Sequence, residues 1–353
     1  MDKDKLAGLR ARYGAASPAD FFDPHFREVA QAVFRGAEAP RQPFADAGTL
    51  LDAPLRPDLA ALPDFGGLEI ALVGVPMDLG VTNRAGSRFG PRAVRNTDRI
   101  GPYEHVLRMV PAAELALADI GDVPFSNYLH LDTCHADIQA FYHRLMDAGV
   151  VPLSVGGDHS ISYSILKALG RDRPVGMVHF DAHCDTSGSG DGARFHHSGP
   201  FRSAVLDGVL DPARTIQIGI RGSAEFFWEF SYDSGMTVLH AEDVQEMGLK
   251  AVIAKARAVV GDGPVYISFD VDCLDPAFAP GTGTPEVGGL TSREALTIMR
   301  GLAGLDVVGA DVVEIAPHYD PTSNTAQIGS QILFEELCLA SMALKQRRGK
   351  AGG

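Results

Sequence analysis

The sequence predicts an α/β fold: a single-domain, three-layer α/β/α arrangement built on a mostly parallel sheet of about eight strands. Two observations carry that prediction. From Leu68 onward, short runs rich in Val, Ile and Leu recur between amphipathic stretches, the pattern of strands buried on both faces by crossover helices. The regular alternation of the two kinds of segment places helices on both sides of one sheet. With 353 residues and 45% hydrophobic composition, the chain can also bury one full-sized core.

Residues 1–66 are rich in Ala, Pro and Asp and read as an amino-terminal extension, with a short helix near Phe26–Phe34 and a role in packing or subunit contact. Strands are expected near 69–75, 116–120, 151–155, 175–181, 215–220, 236–240, 264–271 and 307–314. Between the second and third, Leu131, Cys134, Ile138, Phe141 and Leu145 recur at spacings of three or four, which predicts a helix over 130–147. The main domain is expected over 67–345 and a frayed, disordered tail over 346–353.

Composition narrows the function classes. A net charge of −14 makes nucleic acid and anionic membranes poor partners, whereas an acidic cleft would draw in a small cation. Met1-Asp2-Lys3-Asp4-Lys5 lacks the apolar run of a signal peptide, and no stretch is apolar over the roughly 20 residues that a membrane span needs. A cytoplasmic protein is expected. The four cysteines, Cys134, Cys184, Cys273 and Cys338, lie far apart without C-x-x-C pairing, so neither a disulfide framework nor a zinc ribbon is indicated.

In open parallel sheets ligands bind beyond the carboxyl ends of the strands, and three such ends here are unusually polar. Val155-Gly156-Gly157-Asp158-His159-Ser160 turns sharply and leaves His159 at a strand tip; the same residues also suit a helix N-cap. In Val178-His179-Phe180-Asp181-Ala182-His183-Cys184-Asp185, alternation along an extended chain puts Asp181, His183 and Asp185 on one face. His179 shares that parity but lies deeper in the apolar run, as a core histidine would, and Cys184 faces away. In Ser268-Phe269-Asp270-Val271-Asp272-Cys273-Leu274-Asp275-Pro276, Asp270 and Asp272 share a face, while Asp275 before proline suits the turn. Carboxylates gathered at that density repel one another unless cations neutralise them. Oxygen-rich donors with two imidazoles suit Mn²⁺ or Ni²⁺ better than a thiolate zinc site.

Those three segments resemble, in order, the signatures of the ureohydrolase family, which contains arginases, agmatinases and guanidino-acid hydrolases. The resemblance extends from about Ala71 to Leu337 and includes Thr82-Asn83-Arg84-Ala85-Gly86-Ser87-Arg88-Phe89-Gly90-Pro91, Pro280-Gly281-Thr282-Gly283-Thr284-Pro285 and Asp311-Val312-Val313-Glu314. It favours the agmatinase-like branch, with guanidino-acid and guanidine hydrolases. The resemblance implies two divalent ions per chain, Mn²⁺ first and Ni²⁺ second, held by His159, Asp181, His183, Asp185, Asp270 and Asp272. It implies hydrolysis of a small cationic guanidino substrate to urea plus an amine or ammonia by a metal-bridging hydroxide. Glu314 matches the carboxylate that holds the guanidinium, His197 the loop histidine that assists proton transfer, and Asp185 serves both as ligand and proton relay. His196, Thr82 and Asn83 are further candidates for the substrate pocket. A homo-oligomer, trimer or hexamer, is implied as well.

The loop Thr186-Ser187-Gly188-Ser189-Gly190-Asp191-Gly192 departs from the arginase pattern, which points away from L-arginine and leaves agmatine, guanidinobutyrate, guanidinopropionate and guanidine or an alkylguanidine. Two other readings stand beside this one: a mononuclear zinc deacylase of the related deacetylase type, and a non-catalytic partner subunit.

Overall fold

The computed structural model describes residues 2–17, 20–33, 47–97, 102–113, 115–189 and 194–351. Eight strands form one sheet: β1 (Ile70–Val75), β2 (Leu117–Asp122), β3 (Val151–Gly156), β4 (Val175–Phe180), β5 (Leu210–Ile220), β6 (Thr237–His240), β7 (Pro264–Asp270) and β8 (Asp306–Val313). Their order is β2-β1-β3-β8-β7-β4-β5-β6, and every pair is parallel. The mostly parallel sheet read from the sequence is therefore entirely parallel. Inner strands such as β1, β3 and β4 are buried at every residue, which is why their sequences run apolar without alternation.

One face of the sheet is covered by α4 (Leu131–Asp147), α5 (Ile161–Leu169) and α6 (Pro200–Leu206), which pack Ile138, Phe141, Leu145, Ile165 and Phe201 into one apolar core. The other face carries α3 (Gly90–Arg95), α8 (Ala241–Met247), α9 (Leu249–Val260), α10 (Ser292–Gly301) and α11 (Asn324–Ala351) over a second core. Helix α4 buries Cys134, Ile138, Phe141 and Leu145 at the spacing read from the sequence. Helix α10 starts where Thr291 and Glu294 exchange side-chain-to-backbone hydrogen bonds, at 2.9 and 3.2 Å, satisfying donors that the first helical turn leaves free.

The chain order places four strand ends together. Strands β8 and β7 insert between β3 and β4, so the polar segments that follow these four strands open at one edge of the sheet. That neighbourhood is the candidate site.

Outside the sheet, α1 (Lys3–Tyr13) and α2 (Pro24–Val33) bury no residue. Helix α2 coincides with the helix expected near Phe26–Phe34, although Phe34 lies outside the described residues. By contrast, Leu50, Ala53, Leu59 and Phe65 are buried, and the Leu50 amide donates to Asp119 at 2.9 Å. The segment 346–353 requires a correction, because α11 continues through it to Ala351. Arg347 explains the extension: its guanidinium reaches Asp306 at 2.7 Å and so fastens the last turns to the start of β8. Gly352 and Gly353 lie outside the described residues. No helix among the described residues is long and apolar enough to cross a membrane.

These packing differences predict how truncation behaves. A chain beginning at residue 47 is expected to keep the melting temperature of the full chain. Removing residues through 66 also removes the buried Leu50, Leu59 and Phe65 side chains, a loss of roughly 5 kcal/mol or more at 1.5–3 kcal/mol per side chain. Thermal and urea unfolding of both truncations measure the difference.

Candidate metal centre

His159 follows the glycine turn after β3 and is fully buried. Its Nδ1 lies 3.1 Å from Asp181 Oδ2, 2.9 Å from Asp185 Oδ2 and 3.2 Å from Asp270 Oδ2. That nitrogen nevertheless makes no hydrogen bond among the described residues: the donor atoms converge in space without pointing along one another's lone pairs. His183 Nδ1 lies 3.1 Å from Asp272 Oδ2 and 3.4 Å from Asp181 Oδ1. All six sequence-predicted ligands thus come together in two groups, one around each imidazole, with Asp181 common to both. An orphaned imidazole nitrogen facing several carboxylates fits a pair of divalent cations.

Electrostatics point the same way. Burial, then Asp272 and Asp181, push the Asp270 carboxyl well above its usual range. Burial opposes charge on His159, yet Asp181, Asp185 and Asp270 pull its pKa well above the ordinary histidine value. His183 is raised against burial in the same way by Asp272 and Asp181. A pocket whose carboxylates raise both imidazoles against burial is one whose negative charge calls for cations.

The residues converge by a route other than strand alternation. Strand β4 ends at Phe180, and Asp181–Asp185 form a turn in which the His183 amide donates to Asp181 Oδ1 at 2.6 Å. Asp185 adopts φ +50° and Glu314 φ +62°, left-handed conformations that cost a non-glycine residue about 1 kcal/mol or more and recur at functional sites. After β7, residues Val271–Cys273 form a 3₁₀ turn, and Asp270 Oδ1 accepts from the Asp272 amide at 2.8 Å. Thr284 Oγ1 donates to Asp272 Oδ2 at 3.1 Å.

His179 lies close enough to be grouped with His159 and Asp181 as a ligand, but its hydrogen bonds assign it another role. Gln217 Nε2 donates to His179 Nδ1 at 3.1 Å and to the Cys184 carbonyl at 2.6 Å. His179 Nε2 therefore carries the proton and donates to Asp181 Oδ2 at 2.8 Å. It is a satisfied core histidine that orients Asp181. Asp158 combines with the turn: its carboxylate accepts from the Gly80 and Ser160 amides at 2.8 and 2.9 Å. The residue at the helix N-cap is Ser160, whose side chain makes no capping bond, so Asp158 shapes the turn while His159 reaches the site.

Glu314 stands directly after β8 and is 1% exposed. Its Oε1 accepts from the His159 amide at 2.9 Å and lies 3.1 Å from His197 Nδ1. Gly283 lies near its Oε2: a Cβ there would be 4.0 Å from that oxygen and would clash with the Arg84 carbonyl oxygen at 2.7 Å. The His197 amide donates to the Gly80 carbonyl at 2.9 Å, and the ring Nε2 lies 2.7 Å from Thr82 Oγ1. Burial lowers the His197 pKa, but the Glu314 hydrogen bond and charge outweigh it and lift the value to about 9.

The remaining candidates fall differently. Thr82 reaches the site through His197, and the Asn83 side chain is held by the Gly283 carbonyl at 3.2 Å. His196 turns away from Glu314: its Nδ1 bonds Ser198 Oγ at 2.8 Å, and it faces a surface pocket with Arg194 and Arg202. Within the loop 186–192, Gly190, Asp191 and Gly192 lie outside the described residues. Two supporting residues went unassigned in the sequence, Ser268 and Asp311. The signal was there: Ser268 shares strand parity with Asp270, and Asp311 is a lone carboxylate inside an apolar strand.

The comparisons with known proteins agree with this geometry. The family model described as Arginase family matches residues 68–338. Guanidinopropionase of Pseudomonas aeruginosa is 50% identical over 308 residues, covering 86% of this chain and 94% of that protein. Mitochondrial agmatinase of Gallus gallus is 47% identical over 277 residues, covering 77% and 81%. Among solved structures, proclavaminate amidino hydrolase from Streptomyces clavuligerus is similar with TM-score 0.79 and 34% identity, over 86% of this chain and 100% of that one.

The Glu314–His197 pair gives a pH prediction for the metal-free protein. The folded-state pKa of His197, about 9, exceeds the ordinary 6.5, so the pair's stabilisation is complete below 6.5 and is lost as pH rises through 9. Histidine NMR titration should find a group titrating near 9, and Glu314→Gln should bring it down.

Proposed function

Because the chain belongs to the arginase family, in the branch that holds agmatinases and guanidino-acid hydrolases, we propose that this metal-dependent guanidino-compound hydrolase acts on a small guanidino acid of the 3-guanidinopropionate type. The observation that carries the catalytic reading is Glu314, a buried carboxylate held by the His159 amide and beside His197, next to the convergent His and Asp donors. A carboxylate so placed matches a planar guanidinium by charge and by hydrogen-bond geometry. The acid chemistry of the substrate rests on the extent of likeness to the guanidinopropionase. The agmatinase likeness supports agmatine as the second reading.

His159, Asp181, His183, Asp185, Asp270 and Asp272 would hold the two ions, Mn²⁺ or Ni²⁺. When bound, such ions lower the pKa of water and supply a hydroxide nucleophile near neutral pH. Glu314 orients the guanidinium so that its central carbon faces the donor cluster, a gain of proximity for a reluctant electrophile. The leaving nitrogen needs a proton as the C–N bond breaks. Asp185, at the inner wall, and His197, bonded to Glu314, are the groups positioned to move it. Water is thereby added across one C–N bond, giving urea and an amine. Two ligand groups sharing Asp181 favour this reading over a mononuclear deacylase, and the complete donor set favours it over a non-catalytic subunit. A trimer or hexamer belongs to the same reading, and light scattering measures it.

Urea release across 3-guanidinopropionate, 4-guanidinobutyrate, agmatine, guanidine and L-arginine, with Mn²⁺ or Ni²⁺ supplied, tests the substrate. The highest kcat/KM is expected for 3-guanidinopropionate; a preference for agmatine or guanidine overturns the acid assignment. Glu314→Gln is expected to keep both ions while losing about 10²-fold or more in kcat, the scale on which misorientation acts. Asp270→Asn should lose ions and activity together.

A further inference from the structure

Asp311 lies inside β8, between β3 and β7, with no exposed surface. Ser268 Oγ donates to its Oδ1 at 2.7 Å, and Tyr266 Oη and Ser162 Oγ each donate to Oδ2 at 2.5 Å. Behind it, Glu336 is fully buried, and neither carboxyl oxygen has a hydrogen-bond partner among the described residues. Burial, then the nearby Asp311, push Glu336 well above the usual carboxyl range. Three hydroxyl protons thus converge on Asp311, which accepts from all of them.

A serine hydroxyl has one proton to give. Ser268 gives it to Asp311, so toward His159 Nε2, 2.9 Å away, its oxygen can only accept. His159 Nε2 must then carry a hydrogen, which leaves Nδ1 as the position that a proton or a cation fills. Nδ1 is the atom facing Asp181, Asp185 and Asp270. Among the described residues His183 has no comparable tether: its Nε2 meets only Glu286 Oε1, at 4.0 Å.

We propose that Asp311 is a positioning residue which, through Ser268, fixes His159 as an Nδ1 ligand and so sets the affinity of the ion on the His159 side, leaving the His183 side unaffected. The inference rests on the dinuclear reading above but is independent of which guanidino compound is hydrolysed. Hydrogen-bond partners of this kind typically change metal affinity 10–100-fold when removed.

The test is a Mn²⁺ titration of the metal-free full chain by calorimetry, on the wild type, Ser268→Ala, Asp311→Asn and Tyr266→Phe, with circular-dichroism melts of the same samples. Ser268→Ala and Asp311→Asn are expected to hold one ion as the wild type does and the other about 10–100-fold more weakly. Tyr266→Phe removes an equally buried hydrogen bond to Asp311 but spares the Ser268 contact, so it should bind both ions as the wild type does. Wild-type affinity for both ions in Ser268→Ala overturns the proposal, as does equal loosening in Tyr266→Phe, which would mark a general effect on the core. If Asp311→Asn fails to fold, Ser268→Ala against Tyr266→Phe decides alone. Because the readout is binding, a wild type that holds two ions but cleaves no guanidino acid defeats the substrate reading and leaves this inference intact.

Discussion

The architecture depends on mutual repulsion among four carboxylates, Asp181, Asp185, Asp270 and Asp272, enclosed at one edge of a sheet where water cannot screen them. Burial alone would keep such groups protonated, and together they would destabilise any fold that gathered them. The structure offsets this locally, with amides of His183, Ala182 and Asp272 donating to carboxylate oxygens. Two imidazoles stand within about one hydrogen-bond length of the rest. What remains uncompensated is negative charge shared around two points, which is the electrostatic definition of a dication site.

The sheet order converts that local chemistry into a site. Placing β8 and β7 between β3 and β4 makes neighbours of segments more than a hundred residues apart, as His159 and Asp270 are. The same placement sets Glu314 beside the His159 amide, so the carboxylate that would hold a guanidinium is fixed by the backbone of the donor cluster itself. Left-handed conformations at Asp185 and Glu314 mark where the chain leaves its preferred geometry to aim these side chains.

Much of this was legible in the sequence, for identifiable reasons. Buried parallel strands leave continuous apolar runs, and all eight appear within a few residues of their expected positions. That His159, Asp181, His183, Asp185, Asp270 and Asp272 gather in one place was legible because polar residues at the ends of such runs have few structural uses. The route by which they meet was not, since strand parity does not describe turns: Asp181–Asp185 and Val271–Cys273 both bend, and they reach the expected convergence by hydrogen bonds between side chain and backbone. The segment at 346–351 was misread because Gln346-Arg347-Arg348 looks like a solvated tail, and only the Asp306 partner of Arg347 reveals why it stays helical. His196 was a further candidate for the substrate pocket, but its ring bonds Ser198 and lines a surface pocket with Arg194 and Arg202, whereas His197 meets Glu314.

Anomalous diffraction from crystals of Mn²⁺-loaded protein addresses the central claim most directly. Two peaks per chain are predicted, one against His159 Nδ1 and one against His183 Nδ1, with the Asp181 carboxylate between them. A single peak at full loading, or none near either imidazole, would contradict the account.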